Sequence, residues 1–312
     1  MAASKGDTVS LVSAFVPIWI LTAVGYAARR RGMLGASAAQ VLGRFVFHMA
    51  MPAALFLKLS ATPIAGYDYR ALLAFGASTA AVIGVGWLAV SRMFDRKAGE
   101  RPIWGMAAGY VNSANLGIPI AQQVLHSVSF LAEVVLLQTL VLTPVVLIAL
   151  DRHGDAAGRV RLRRIAGLPL RNPVILASAL GVVWSAGHFP VPQAVSSPLA
   201  LLSGAAVPVA LIALGASLHR DSKVRVAGVE TGVITVLKLL AQPLLALAFG
   251  LLLHLTAPDL LAVVVCAGLP TAQNTFIFAQ EYGVGEALAS RAVIVTTAFS
   301  LATLAATTAL LG

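Results

Sequence analysis

Hydrophobic residues run along this chain in long blocks, separated by short breaks that carry charge, glycine or proline. In order, the blocks predict ten helices, at about residues 9–28, 37–58, 70–91, 103–125, 130–150, 172–188, 196–218, 228–254, 258–280 and 288–311. Most reach the roughly 20 apolar residues that a bilayer core demands of a spanning helix. The sixth is short and ends at His188-Phe189-Pro190-Val191-Pro192. The pattern predicts an all-α membrane protein with ten transmembrane helices.

Polar residues break the pattern inside two of these helices. The fourth carries Asn112, Ser113, Asn115, Gln122 and Gln123, with Gly117 and Pro119 among them. The ninth carries Thr271, Gln273, Asn274, Thr275 and Gln280, with Gly268 and Pro270 alongside. Proline removes a backbone hydrogen bond, and buried polar groups are costly in lipid unless paired. Non-helical backbone at membrane depth is tolerated where it is buried in protein or lines a cavity. Paired breaks, one in each half of a chain, point to a transporter's binding site. Unwound helices would offer positive N-terminal ends to an anion, and carbonyls to a cation or proton donor. A single such asparagine reads more simply as glue between helices. Paired polar runs at matching prolines favour a site.

The two breaks match in neighbourhood. Ala108-Gly109 through Asn115 corresponds to Ala267-Gly268 through Asn274, an offset of 159 residues. Pro52-Ala53-Ala54-Leu55 corresponds to Pro208-Val209-Ala210-Leu211 at 156, and Ala121-Gln122 to Ala279-Gln280 at 158. Each echo is weak alone, but together they pair the second helix with the seventh and the fourth with the ninth. The chain therefore divides into a five-helix repeat over 1–150, a linker over 151–171 and a second repeat over 172–312. Five is odd, so the second repeat enters the membrane from the opposite side. Inverted repeats of this kind underlie alternating access.

Composition agrees with the membrane reading. The chain is 59% hydrophobic and 11% charged, with mean hydropathy +0.89. A soluble domain has about 25% charged residues. The net charge of +10 is explained by basic cytoplasmic loops, not by nucleic acid. Seventeen of the 22 basic residues follow odd-numbered helices, from Arg29-Arg30-Arg31 to Arg291. Both termini are thus expected on the side away from the cytoplasm. Lys5 and the apolar run after it resemble a signal peptide, but the run is long enough to span and Arg29-Arg30-Arg31 follow it. A retained first helix is expected. The arginines of the 151–171 linker are expected to serve orientation and contact with anionic headgroups rather than a specific regulatory partner.

Chemistry narrows the function further. Cys266 is the single cysteine, which excludes an internal disulfide and a cysteine metal cluster. The chain has no HExxH, no GxSxG and no P-loop lysine, and Gly84-Val85-Gly86 lacks the rest of a dinucleotide fingerprint. No enzyme activity, cofactor or metal is expected. Of the 12 acids, Glu133, Glu230 and Asp259 come closest to the interior, and none is at either break. A site without acids suits an organic anion rather than a cation. Arg44 and His48 lie one turn apart on the second helix. Arg44 either attracts an anionic substrate or snorkels to the interface. His48 reads as a hydrogen-bonded structural histidine rather than as a group that titrates near neutral pH. Lys238, in the middle of the eighth helix, reads either as an anion ligand or as a permanent internal cation.

These residues resemble the auxin efflux carrier family, which includes the plant PIN-FORMED exporters and bacterial malonate-type carriers. The resemblance rests on Asn112-Ser113-Ala114-Asn115-Leu116-Gly117-Ile118-Pro119, on Arg44-Phe45-Val46 with Pro52, on Leu211 through Leu218, on Leu237-Lys238-Leu239-Leu240 with Pro243, and on Leu269-Pro270 through Asn274 with Glu281-Tyr282-Gly283. It implies the fold of the bile acid:sodium symporters, with the fourth and ninth helices broken and crossing. Helices 1, 2, 6 and 7 would form a scaffold, and the others a body that moves like an elevator. The resemblance carries the substrate site onto Asn112 and Asn115, with Gln273 and Asn274 similar to the symporters' ninth-helix polar pair; the two breaks themselves add Ser113, Pro119 and Pro270, with Arg44 and Lys238 as candidate cations. The acid of the symporters' sodium sites is replaced here by Pro270 and Thr271. The plants' long hydrophilic loop is absent, so the bacterial type in the inner membrane is expected. The resemblance also implies a homodimer through the scaffold. The function expected is secondary transport of a small mono- or dicarboxylate; the alternative is a membrane sensor that binds the same anion without moving it.

Overall fold

A computed structural model describes residues 5–61, 69–94, 96–117, 120–125, 127, 129–154, 173–218 and 228–311. The side chain of Asn115, all of Pro119 and most of the 151–171 linker lie outside the described residues. Among the described residues the backbone is helical, with no strand beyond one isolated bridge. The elements are α1 (Lys5–Arg30), α2 (Ala38–Ser60), α3 (Tyr69–Arg92), α4 (Arg101–Gly109), α5 (Ser129–Asp151), α6 (Pro173–Ala186), α7 (Gln193–Leu218), α8 (Gly228–Leu252), α9 (Ala257–Ala267), α10 (Asn274–Tyr282) and α11 (Glu286–Leu311). Six helices among the described residues are long and apolar enough to cross a membrane. Leu73, Val183, Leu201, Leu244 and Phe299 are exposed on their outer faces. Such surfaces belong in lipid, and the chain is an integral membrane protein.

Three of the long helices widen locally into π-type turns, at Val46–Ala50, Gln138–Leu142 and Leu237–Ala241. Each precedes a proline by two residues: Pro52, Pro144 and Pro243. Proline has no N–H to give to the carbonyl four residues back. That carbonyl belongs to His48, Leu140 or Leu239, inside the wide turn in each case. The backbone loosens where its bond is missing.

The helices pack in two groups. α1 lies against α7, and α2 lies against α6 and α7. α3 packs against α4, α8 and α9, while α11 packs against α8, α9 and α10. The α1–α7 contact is backbone to backbone. A Cβ on Gly25 would fall 2.2 Å from the Ile212 carbonyl oxygen, and one on Gly215 would fall 1.9 Å from that of Thr22. Small residues permit this approach, and dispersion rather than the hydrophobic effect then holds helices together in lipid.

The seam between the groups runs along α2 and α10. Phe47 meets Phe278 and Tyr282 edge-on, with ring centroids 5.6 and 6.5 Å apart. His48 Nε2 lies 3.6 Å from Glu281 Oε1.

Candidate functional site

The ninth predicted helix is divided into α9 and α10 by Gly268-Leu269-Pro270. The residue before a proline is driven out of the α region, and the proline cannot donate. α9 therefore stops at Ala267, and α10 restarts at Asn274. The fourth predicted helix is interrupted in the same way. α4 ends at Gly109, and Tyr110 turns to an extended conformation (φ −82°, ψ 113°). Wide turns follow at Ser113–Gly117 and Ala121–Leu125.

The two interruptions meet. Val111 and Thr271 form an isolated antiparallel bridge. The Asn112 amide donates to the Pro270 carbonyl at 2.8 Å, and the Ala272 amide donates to the Tyr110 carbonyl at 3.0 Å. Backbone groups freed by one break are thus satisfied by the other. That is the requirement for irregular backbone where water is absent. Side chains complete the count. The Thr271 hydroxyl donates to the Ala107 carbonyl at 2.7 Å, and the Thr271 amide donates to the Thr296 hydroxyl at 3.0 Å. Gln138 Nε2 donates to the Val111 carbonyl at 3.0 Å.

Beside this junction lies a cavity of about 110 Å³, walled by α2, α5, α6, α10 and the first break. It has room for a few waters or a small carboxylate. Asn112, Ser113 and Asn274 line it, together with Tyr110, Gln138, Thr139 and Thr143. Met51, Leu55, Val135 and Phe278 supply apolar wall. The Ser113 hydroxyl donates to Gln138 Oε1 at 2.6 Å. The Tyr110 hydroxyl joins Thr143 Oγ1 at 2.8 Å and is also hydrogen-bonded to the Asn274 side chain. The first amides of α10 are partly committed: that of Thr275 donates to Ala272, and that of Phe276 to Gln273. This helix end thus offers the cavity its dipole and the Asn274 side chain.

The structure assembles some of the residues expected at the site and separates others. Asn112, Ser113 and Asn274 converge on the cavity. Pro270 is buried at the junction and contributes its carbonyl. Gln273 is buried but does not line the cavity, and its Oε1 has no hydrogen-bond partner among the described residues. Arg44 is exposed on α2 and does not line the cavity. Its carbonyl accepts from His48 Nδ1 at 3.1 Å, so His48 is the hydrogen-bonded residue its sequence context suggested. Lys238 also stands away from the cavity. It is wholly buried, and its Nζ donates to Gln242 Oε1 and, at 2.9 Å, to the Ala267 carbonyl. It serves α9 and not the cavity wall.

Lys58 is the basic residue among the described lining residues, and no acid is among them. It sits in the last turn of α2, at the end of the second predicted helix, and is half-buried. The signal available was its position two turns after Pro52, on the helix that carries the repeat echo. A second cavity of about 230 Å³ lies further along the seam and is lined by both Arg29 and Glu286. Its mixed charge gives no preference for an anion.

A lipid-facing helical bundle whose interrupted helices meet at a polar cavity defines a membrane transport protein. Residues 10–158 and 162–308 match the membrane transport protein family, and the chain belongs to this family, that of the auxin efflux carriers. An uncharacterized transporter of Methanothermobacter thermautotrophicus is 26% identical over 306 residues, covering 96% of each chain. A protein of Rhizobium meliloti, provisionally named a malonate transporter, is 28% identical over 303 residues, covering 92% of each. Auxin efflux carrier component 3a of Oryza sativa subsp. japonica is 31% identical over 130 residues, 40% of this chain and 21% of that protein. The chain is a membrane transporter and not an enzyme.

Proposed function

We propose that this protein is a secondary carrier for a small organic carboxylate, malonate-like or auxin-like, which binds in the cavity beside the junction of the two breaks. The observation that carries this reading is the make-up of that cavity. Neutral donors from both breaks (Asn112 and Asn274) face it, Lys58 is its cation, and no carboxylate is among its described lining residues. A carboxylate would gain charge-assisted hydrogen bonds there without like-charge repulsion. The positive end of α10 adds to the attraction. The names of the relatives from Rhizobium and rice are consistent with such a substrate.

The packing groups support an elevator-type carrier. α1, α2, α6 and α7 would form the fixed frame, and α3–α5 with α8–α11 the moving body. Ten membrane segments in two inverted repeats would then exchange roles across the seam. Basic loops would face the cytoplasm, with both termini outside the inner membrane. A homodimer through the frame fits this scheme.

Uptake of radiolabelled malonate, acetate and indole-3-acetate into proteoliposomes tests the proposal. One of these acids should accumulate with the wild type, and Asn274→Ala should reduce the rate about tenfold, as loss of a buried hydrogen bond to a charged group implies. Wild-type binding without flux would favour a sensor, and full uptake by Asn274→Ala would move the site elsewhere.

A further inference from the structure

A helix that ends inside a bilayer leaves up to four carbonyls without a backbone donor. Here two such ends, those of α4 and α9, lie side by side. Both are reached from one turn of α8. Lys238 Nζ donates to the carbonyl of Ala267, the last residue of α9. Gln242 Nε2 donates to the carbonyl of Gly109, the last residue of α4, at 3.0 Å. The two side chains are joined, since Gln242 Oε1 accepts from Lys238. The Gln242 amide is held in turn by Thr79 Oγ1 of α3 at 3.0 Å. Lys238 and Gln242 are both fully buried, and neither lines the cavity. Residues four apart share a helix face. They occupy the wide turn Leu237–Ala241 and the residue after it, just before Pro243.

We infer that Lys238 and Gln242 are positioning residues for the substrate site: together they clamp the carbonyl ends of both interrupted helices and hold the two breaks in register. The clamp acts through the junction. It fixes Gly109 and Ala267, the residues from which the chain runs into Tyr110-Val111-Asn112 and into Pro270-Thr271-Ala272. It also covers two negative dipole ends that, uncovered, would oppose an anion nearby. Its consequence for binding rests on the carboxylate reading of the cavity; its consequence for the junction does not.

The test uses the purified full chain with Lys238→Met, Lys238→Arg, Gln242→Leu and Thr79→Val, each checked for wild-type helical content. Hydrogen exchange is followed at the Asn112 and Ala272 amides, which form the bridge, and malonate binding by calorimetry. Lys238→Met and Gln242→Leu are each expected to speed exchange about tenfold or more at both breaks, including the break that the altered residue does not touch. Lys238→Arg, which keeps a donor at that place, should restore protection. Malonate affinity should fall about tenfold in Lys238→Met with the wall residues unchanged. Exchange that rises only beside the substituted contact, or not at all, would overturn the clamp. Should Lys238→Met fail to fold, Thr79→Val decides the matter by the same exchange criterion, because it loosens Gln242 without removing a buried amine. A wild type that binds no malonate while Lys238→Met exposes both breaks would leave the clamp standing and count against the proposed ligand.

Discussion

At the scale of single residues, the proposed preference for an anion would rest on Lys58 and Asn274, which line the cavity. A hydrogen bond to a charged group contributes about 1.5–3 kcal/mol. Lys58→Met is therefore expected to weaken carboxylate binding by about tenfold or more, measured by calorimetry on the solubilised protein. An unchanged affinity would remove Lys58 from the site. Tyr110→Phe deletes a hydroxyl shared by Thr143 and Asn274. Its cost of about 1 kcal/mol falls on bonding within the protein and should appear as a melting temperature lower by a few degrees. Asn112 and Asn274 were legible in the sequence because polar residues beside glycine and proline have no plain reason to lie in an apolar run. Lys58 was not, because a lysine in the last turn of an apolar helix carries no mark in sequence of the cavity beside it. The role of Lys238 was half legible. Its burial followed from its place in mid-helix, but the carbonyl it serves belongs to a helix end 29 residues away in sequence.

At the scale of elements, prolines decide where the bundle is irregular. Pro270 ends α9, and Pro52, Pro144 and Pro243 each follow a wide turn. The breaks were foreseen from such residues. The wide turns were not, although a missing N–H four residues beyond a carbonyl is readable from sequence. Pro243→Ala restores that donor. It should tighten the Leu237–Ala241 turn, displace Gln242 from Gly109 and reduce uptake, while leaving α8 helical by circular dichroism. The α1–α7 contact depends on close backbone approach at Gly25 and Gly215. Gly215→Val forces at least a methyl-sized group against the Thr22 carbonyl. Overpacking of this kind costs about 1–3 kcal/mol. The variant should unfold at a lower temperature in detergent, and an unchanged melting temperature would show that the contact can relax.

At the scale of the whole molecule, the long apolar segments were plain in the sequence because a bilayer imposes length and hydrophobicity together. The meeting of the two breaks was expected only from the family resemblance, since a two-bond bridge between Tyr110-Val111-Asn112 and Pro270-Thr271-Ala272 leaves no mark on composition. The proposed orientation predicts the sidedness of labelling. In a Cys266→Ser background, Arg31→Cys should react with a membrane-impermeant maleimide only from the cytoplasmic face, and Ser60→Cys only from the opposite face. The reverse result would invert the arrangement. A structure of the protein with malonate bound would show whether a carboxylate sits where the broken helices meet. Ligand density is expected between Asn112 and Asn274, with a carboxylate oxygen about 3 Å from Lys58 Nζ. Density for malonate elsewhere, with this cavity empty, would contradict that placement.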